Sequence, residues 1–284
     1  MTTNFVEIAD RVWVARHEWL DVNVTVVAGE GGLVVVDTLA SSRAAEPLAA
    51  AVRALSALPL HAIVNTHEHF DHTLGNATLL ERLGAATVVA HEEAAARTVA
   101  AAEHAYELYR ADQSDPHGPE VIATAPRAAD RTFSSALVLD LGDRQVELVH
   151  PGRGHTGGDL VVRVPDADVV LTGDLVEQSG PPSYGEDCHP LDWPLTLDLV
   201  LELIGSDTVV VPGHGAPVGR EFVQEQRSSI GIVAETIRDL AGRGVPADQA
   251  LGAAQWPYLA EGLTSAVRRG YAQLPAAQRR LPLI

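Results

Sequence analysis

The 284-residue chain carries 38 acidic and 20 basic side chains, a formal net charge of −18 and an isoelectric point near 4.9. An acidic surface repels a phosphate backbone, which proteins usually contact with Lys and Arg patches, so we expect no nucleic-acid partner. Every basic residue is an arginine, which excludes a lysine Schiff base and a phosphate-loop lysine. The single cysteine, Cys188, excludes an internal disulfide and a thiolate zinc cluster.

The sequence also shows no sign of export or of a membrane span. Its first twenty residues lack the basic start and apolar run of a secretory signal, and no stretch approaches roughly 18 uninterrupted apolar residues. We therefore expect a cytoplasmic protein that acts on a small molecule, with oligomer formation left open. Pro246 favours a catalytic domain over 1–243 and a C-terminal helical extension over 244–284, packed on the same domain.

The first half of the chain predicts strands followed by helices. Apolar, β-branched runs indicate strands at VWVAR, VNVTVVAG, LVVVD, HAIVN and ATVVA. Helical spacing predicts helices over 42–57, from after His72 to about Leu83, and over about 91–110. The segment Thr66–His72 interrupts the apolar pattern and predicts a loop. Residues 111–130, with three prolines and no periodicity, predict a long loop.

The second half repeats this order. Strands are predicted at ALVLDL, QVELVH, DLVVRV, DVVLTG and DTVVVP. Helices are predicted near 195–204 and 219–243, and again through the C-terminus. Sheet followed by helix in both halves predicts an α/β fold in four layers, in which two sheets pack face to face and helices cover their outer faces.

The string Thr66-His67-Glu68-His69-Phe70-Asp71-His72 carries the strongest chemical signal. Alternate residues of an extended segment project to the same side, so His67 and His69 can hold one cation. Asp71 and His72, where the chain turns into its helix, can reach a second cation. Imidazole nitrogen and carboxylate oxygen are ligands that zinc prefers.

Three later segments show one shared pattern, in which an apolar strand is followed by glycine and a ligand-type residue. These residues are His155, Asp174 and His214. Loops at the same end of a sheet can converge, and glycine lets the backbone approach closely. Together with the earlier string they supply five histidines and two aspartates, a number that suits two ions sharing a carboxylate.

With these residues in this order, the chain resembles the metallo-β-lactamase superfamily over roughly residues 5–220. The resemblance implies a first metal on His67, His69 and His155. It implies a second on Asp71, His72 and His214, with Asp174 bridging the two. It also implies that Asp37, which ends LVVVD, supports the ligands from behind. The implied cofactor is two Zn²⁺, with iron or manganese as the alternatives.

Aspartate at position 174 narrows the resemblance. The true β-lactamases of this fold have Cys or Ser there, whereas Asp resembles the glyoxalase II, lactonase and general hydrolase branches. We therefore expect a hydrolase for an ester, lactone or thioester of a small molecule. The basic residues with which some of these relatives bind glutathione are not identifiable, and no tyrosine directly follows Asp174. The substrate stays open at this point.

The implied mechanism depends on the two cations. Ions about 3.5–4 Å apart share a water and lower its pKa from about 15.7 toward neutrality, so that a metal-bound hydroxide attacks the substrate. Asp71, as ligand and proton shuttle, would carry the proton to the leaving group. The alternatives are a mononuclear iron oxidoreductase resembling the persulfide dioxygenases, a β-lactam hydrolase, and a non-catalytic protein stabilised by zinc.

The candidate substrate contacts are Trp19, Tyr184 and His189. Trp19 lies between two early strands, where this fold often has a flap over the site. Tyr184 and His189 lie in the loop 175–194, which starts at the metals. Cys188, in the same loop, is expected to be an ordinary thiol rather than a nucleophile. The conformations of the loops 111–130 and 175–194 are not predictable from the sequence.

Overall fold

The computed structural model describes residues 3–275, in which the strands form two sheets. The first sheet has seven strands in chain order, β1 (Val6–Ala9), β2 (Val12–Arg16), β3 (Asn23–Gly29), β4 (Gly32–Val36), β5 (Leu60–Val64), β6 (Thr87–His91) and β7 (Arg131–Phe133). The second has five strands, which are β8 (Ala136–Asp140), β9 (Gln145–Val149), β10 (Val161–Val164), β11 (Val169–Glu177) and β12 (Val209–His214). These five lie in the order β12-β11-β10-β9-β8.

Helices connect the strands and follow them. They are α1 (Ser42–Leu55), α2 (Phe70–Thr73), α3 (Asn76–Leu83), α4 (Glu92–Ala111), α5 (Gly118–Ile122), α6 (Trp193–Leu203), α7 (Arg220–Gly242), α8 (Ala247–Ala250) and α9 (Thr264–Gln273). None of the helices in residues 3–275 is long and apolar enough to cross a membrane.

The two sheets pack face to face over a shared apolar core, to which Val34 and Val64 contribute from one sheet and Leu148 and Val162 from the other. Helices α1 and α3 cover the outer face of the first sheet. Helices α6, α7 and α9 cover the outer face of the second. The predicted four-layer α/β sandwich is therefore confirmed. Strands buried on both faces explain the near-continuous valine runs of β3, β4 and β11.

Two parallel strand pairs determine where the polar segments meet. β4 is parallel to β5, and β11 is parallel to β12, so that the segments after these strands emerge at common edges. Asn23 ties the two sheets together at this edge, because its side-chain amide donates to the carbonyl oxygens of Pro212 and Gly215 at 2.9 and 2.8 Å. The predicted ligand segments thus start from one end of the sandwich.

The structure differs from the predicted elements in two short strands, β1 and β7, which were not predicted, and in two loops. Helix α2 begins at Phe70, inside the predicted loop, so Asp71 and His72 occupy a helical turn. The His72 carbonyl anchors this turn by accepting from Thr38 N at 3.0 Å and from the Asn65 amide at 3.1 Å. Helix α5 likewise interrupts the predicted loop 111–130. Both helices are too short for a periodic pattern to reveal them.

The segment after Pro246 packs on the second sheet's helical layer. Leu263, Ala266 and Val267 belong to the same buried cluster as residues of α6 and α7. The division into a domain over 1–243 and an extension over 244–284 stays a prediction, and residues 276–284 of that extension lie outside the described residues.

Helix α6 offers a matched test of the outer core. Leu197 is fully buried, whereas Leu195 on the same helix is 66% exposed. We expect Leu197→Ala to lower the free energy of unfolding by about 2–5 kcal/mol, because it leaves a cavity in a packed layer. The control Leu195→Ala should stay within about 0.5 kcal/mol of the parent protein. Urea denaturation of both variants measures the difference, and equal losses would contradict this packing.

Candidate metal centre

The first group of candidate ligands consists of three histidines and an aspartate. Nδ1 of His69 lies 3.1 Å from Nε2 of His67 and 2.8 Å from Nε2 of His155. Oδ2 of Asp174 lies 3.8 Å from Nε2 of His67 and 3.4 Å from Nε2 of His155. Donor atoms around a tetrahedral zinc, with bonds of about 2.0–2.1 Å, lie about 3.3 Å apart. The spacing of these four side chains therefore fits one ion.

The second group shares Asp174 with the first. Nε2 of His72 lies 3.3 Å from Nε2 of His214, and Oδ2 of Asp71 lies 3.5 and 3.3 Å from these two nitrogens. Asp174 approaches His72 through Oδ1 at 3.2 Å and His214 through Oδ2 at 3.3 Å. One carboxylate thus contacts both groups. The structure brings together all seven residues that the sequence singles out as ligands.

Each of three histidines donates its outward ring nitrogen to an oxygen acceptor. His72 Nδ1 donates to Asp37 at 2.8 Å, His155 Nδ1 to the Ser183 carbonyl at 2.9 Å, and His214 Nδ1 to the Leu20 carbonyl at 2.6 Å. A neutral imidazole that donates through one nitrogen keeps a lone pair on the other. In all three rings that lone pair faces the centre.

The two remaining histidines are held in the same way. His69 Nε2 donates to Asp187 at 3.0 Å. Thr66 Oγ1 donates to Asp37 at 2.8 Å, so it accepts from His67 Nδ1 at 3.1 Å. Asp37 therefore supports one ligand directly and a second through Thr66, which is the arrangement expected for its predicted role.

This arrangement of donors fits cations and little else. Five lone pairs and two carboxylates face one another at short range in a buried site, and Oδ1 of Asp174 accepts no hydrogen bond within the described residues. Lone pairs at such distances repel one another, and a buried polar atom without a partner is costly. A divalent cation in each group would compensate both costs.

The pKa shifts of the site also indicate a point that attracts positive charge. Although burial lowers the pKa of His214, the carboxylates of Asp174 and Asp71 raise it far above its usual value. Burial raises the pKa of Asp71, but His72 and His214 outweigh it and bring this pKa to about 2. The field that holds a proton on His214 also favours a metal ion at the same point.

Gly213 shows why a glycine precedes His214. A Cβ on this residue would lie 1.9 Å from Oδ1 of Asp174 and 2.9 Å from the carbonyl carbon of Gly173. Only a residue without a side chain lets β12 approach β11 this closely. The Gly–ligand pattern of the sequence therefore reflects a close approach of backbone to carboxylate.

A cavity of about 690 Å³ opens onto both groups. Helix α4 lines one wall with Ala100, Ala101 and Leu108, among which Arg97 and His104 also face the cavity. Glu177 and Glu186 lie elsewhere in the lining. A concave, largely apolar cavity that ends on reactive groups is the usual form of a small-molecule site.

The three predicted substrate contacts lie outside this cavity's lining. Trp19 stacks on His117 at 4.1 Å and lines a neighbouring pocket. Tyr184 packs against Trp193 in the core, and His189 lines a pocket on the far side of its loop. Their chain neighbours Leu20, Ser183 and Asp187 face the cavity instead. Residues of the same loops thus line the cavity, and the three predicted side chains do not; a role in substrate contact stays a prediction for them.

Cys188 also lies away from the cavity's lining. Its side chain is fully buried, and this burial raises the pKa of the thiol to about 12. The thiol is therefore protonated at neutral pH, in keeping with an ordinary cysteine.

Three acidic residues near the centre were missed by sequence reasoning. Asp187 orients His69, and buried Glu68 and Glu177 both line the cavity. Of these three, Glu177 could have been noticed in the sequence, because it is a charged residue at the end of an apolar strand. That strand, β11, is buried along its whole length. Burial raises the pKa of the Glu177 carboxyl to about 7.

The support given by Asp37 leads to a quantitative prediction. Asp37→Asn keeps the shape but replaces one carboxylate acceptor by an amide, so His72 and Thr66 lose their orienting partner. We expect the affinity for zinc to fall about 10- to 100-fold. Competition with a chelator of known affinity measures the loss, and Asp198→Asn, whose partner is Arg227, is the control. An unchanged zinc affinity in Asp37→Asn would contradict the supporting role of Asp37.

The close approach at Gly213 gives a second prediction. Gly213→Ala should displace Asp174 and reduce the metal content of purified protein to less than half of the parent value. Gly219→Ala is the matched control, because no atom lies within 4 Å of its added Cβ. Elemental analysis of both variants decides the matter, and full metal content in Gly213→Ala would refute this explanation of the glycine.

Comparison with known proteins places this geometry in a family. The profile of the metallo-beta-lactamase superfamily matches residues 17–214. Metallo-beta-lactamase type 2 of Bacillus cereus is 27% identical over 222 residues, which cover 75% of this chain and 77% of that protein. The alpha subunit of 2,4-dinitroanisole O-demethylase from Nocardioides sp. is 27% identical over 223 residues, covering 75% of this chain and 57% of that protein.

Solved structures show the same fold. The metallo-beta-lactamase from Pontibacter korlensis superposes with a TM-score of 0.63 at 23% identity, covering 81% of this chain and 99% of that one. The enzyme FIM-1 of Pseudomonas aeruginosa, in its mono-zinc form, gives 0.62 at 20% identity, covering 82% and 96%. These identities support the fold alone. Because the family profile spans more than half of the sequence, the chain belongs to the metallo-beta-lactamase superfamily, whose members are metal-dependent hydrolases.

Proposed function

We propose that this protein is a dinuclear zinc hydrolase that cleaves an ester, lactone or thioester of a small molecule. His67, His69 and His155 would hold the first ion. Asp71, His72 and His214 would hold the second, with Asp174 between them.

One observation carries the proposal: two groups of imidazole lone pairs face a single shared carboxylate. Asp174 lies 3.2–3.8 Å from nitrogens of both groups. A single tetrahedral ion takes four ligands, so seven ligand side chains exceed what one ion needs. Oδ2 of Asp174 approaches nitrogens of both groups and Oδ1 approaches His72, so this carboxylate is placed to be shared by a pair of ions.

The chemistry divides between the metals and the chain. When bound, two zinc ions supply Lewis acidity for the scissile carbonyl and lower the pKa of a shared water. Asp71, which also lines the cavity, is placed to accept that water's proton and pass it to the leaving atom. The α4 wall holds the carbon chain of the substrate, and thus positions the carbonyl at the ligand groups.

The named relatives do not identify which bond this protein cleaves. Some curated relatives carry the name metallo-beta-lactamase, and another is named an O-demethylase subunit. The family similarity therefore also supports β-lactam hydrolysis as the second candidate. Aspartate at position 174, in place of the Cys or Ser of true β-lactamases, favours the ester and thioester class.

Metal analysis and a substrate screen test the proposal together. Zinc-loaded protein should contain two ions per chain and hydrolyse at least one of a panel of esters, lactones and thioesters. β-Lactams and phosphodiesters complete the panel. A single iron with persulfide oxidation would favour the dioxygenase alternative. Full zinc content with no turnover of any compound would favour the non-catalytic one.

Removing the shared carboxylate should affect both ions. We expect Asp174→Ala to bind less than one zinc per chain and to lose at least about 100-fold in turnover, since even partners of ligands contribute this much. The control Cys188→Ala should keep its zinc and its rate, because that thiol lies outside the cavity's lining. Two retained zinc ions in Asp174→Ala would contradict the bridge.

Metal identity, location and partner are also proposals. Iron or manganese could replace zinc in the same ligands, a cytoplasmic location stays a prediction, and the partner we propose is the substrate itself.

A further inference from the structure

The charge of the cavity lining restricts what the site accepts. The lining contains six carboxylates and one guanidinium, and the six are Glu68, Asp71, Asp174, Glu177, Glu186 and Asp187. The guanidinium, Arg97, has Glu93 as its own partner at 3.7 Å. The lining also contains the exposed imidazole of His104, so apart from the ligand histidines its basic side chains within residues 3–275 are Arg97 and His104, and the six carboxylates outnumber them.

The buried part of the lining offsets the proposed ions. Glu68, Asp71, Asp174 and Glu177 are between 1% and 8% exposed. Burial raises the pKa of Glu68 and Glu177, but divalent ions beside them would favour their ionised forms, and the four carboxylates would then carry four negative charges. Two divalent cations carry four positive charges. The centre with its ions would then carry no net positive charge that could attract an anion. Loss of a proton from the shared water would make the centre negative. A carboxylate entering the cavity would meet repulsion rather than compensation.

Glu177 is the acidic group best placed to act on a substrate. Its Oε1 accepts from Ser179 N at 3.1 Å and from Ser179 Oγ at 2.6 Å, which fixes the carboxylate. Within residues 3–275, no donor pairs with Oε2 and no basic side chain forms an ion pair with Glu177. A carboxylate oxygen of Glu177 lies within 4.8 Å of ligand atoms of Asp174 and His214, so this residue borders the second group of ligands. The other non-ligand acids differ, since Asp187 holds His69, Glu186 pairs with Arg268 at the surface, and both carboxylate oxygens of Glu68 are buried atoms without a partner in the described residues.

We propose that the cavity selects uncharged or cationic esters and lactones with an apolar chain and excludes anionic ones, and that Glu177 is the residue that determines this selectivity. This inference rests on the proposed hydrolase function. The chain of the substrate lies on Ala100, Ala101 and Leu108 of α4. A hydrogen-bond donor or cationic group of the substrate would contact Oε2 of Glu177.

Three p-nitrophenyl esters of similar length provide the test. They are the neutral valeric ester, the anionic monoester of glutaric acid and the cationic ester of trimethylammoniobutyric acid. With spontaneous hydrolysis subtracted, kcat/KM for the anionic ester should lie at least about 10-fold below that for the neutral one, which corresponds to about 1.4 kcal/mol. The cationic ester should be at least as good as the neutral one.

Variants assign the selectivity to one residue. Glu177→Gln should raise the anionic-to-neutral ratio of kcat/KM about 10-fold. This ratio is measured within one sample, so it does not depend on how much of the protein holds metal. Glu225→Gln, an exposed residue outside the cavity's lining, is the control and should leave the ratio unchanged.

A binding measurement separates this inference from the proposed function. Calorimetry with the matching amides should give weaker binding of the anionic amide than of the neutral one, and Glu177→Gln should reduce the difference. If no ester is hydrolysed but the amides follow this order, the hydrolase proposal fails and the selectivity stands. If esters are hydrolysed with equal rates for anionic and neutral chains, or if Glu177→Gln leaves the ratio unchanged, the selectivity is refuted.

Discussion

The rest of the site depends on the repulsion between electron pairs gathered at one buried point. Five imidazole nitrogens turn their lone pairs toward two aspartates, and the outward nitrogens of the same rings donate to Asp37, Thr66, Asp187 and two backbone carbonyls. Those outward hydrogen bonds prevent the rings from turning away. The protein is therefore built to keep its donors in contact until a cation relieves the repulsion, which is how a preorganised metal site differs from a chance cluster.

The fold supplies the rigidity that this arrangement needs. Two parallel strand pairs, one in each sheet, deliver ligand segments to one edge of the sandwich, and Asn23 joins the sheets there. Gly213 lets β12 lie against the Asp174 carboxylate. Elements with buried backbone hydrogen bonds move less than free loops, so ligands that begin at strand ends keep their spacing.

The carboxylates that we propose as metal ligands also line the cavity. Because Glu68 and Glu177 lie beside the ligand aspartates, the negative charge of the buried site can offset two divalent ions. In our proposal, the metal centre and the selectivity of the cavity are thus parts of one charge balance, and Ala100, Ala101 and Leu108 of α4 contact the carbon chain. Such a cavity differs from one designed to recognise a phosphate or carboxylate, in which arginine forks would be expected.

Much of this protein follows from local sequence alone. The alternation of apolar runs and helical stretches predicts the four layers, and the His67–His72 string together with three Gly–ligand segments predicts all seven residues that converge. These signals are local, since strand period, glycine and ligand spacing act over a few residues. Packing across the chain decided the rest. Leu20, Ser183 and Asp187 rather than Trp19, Tyr184 and His189 line the cavity. The direction of a side chain on an irregular loop depends on long-range packing, such as that of Tyr184 against Trp193, which the local sequence does not reveal.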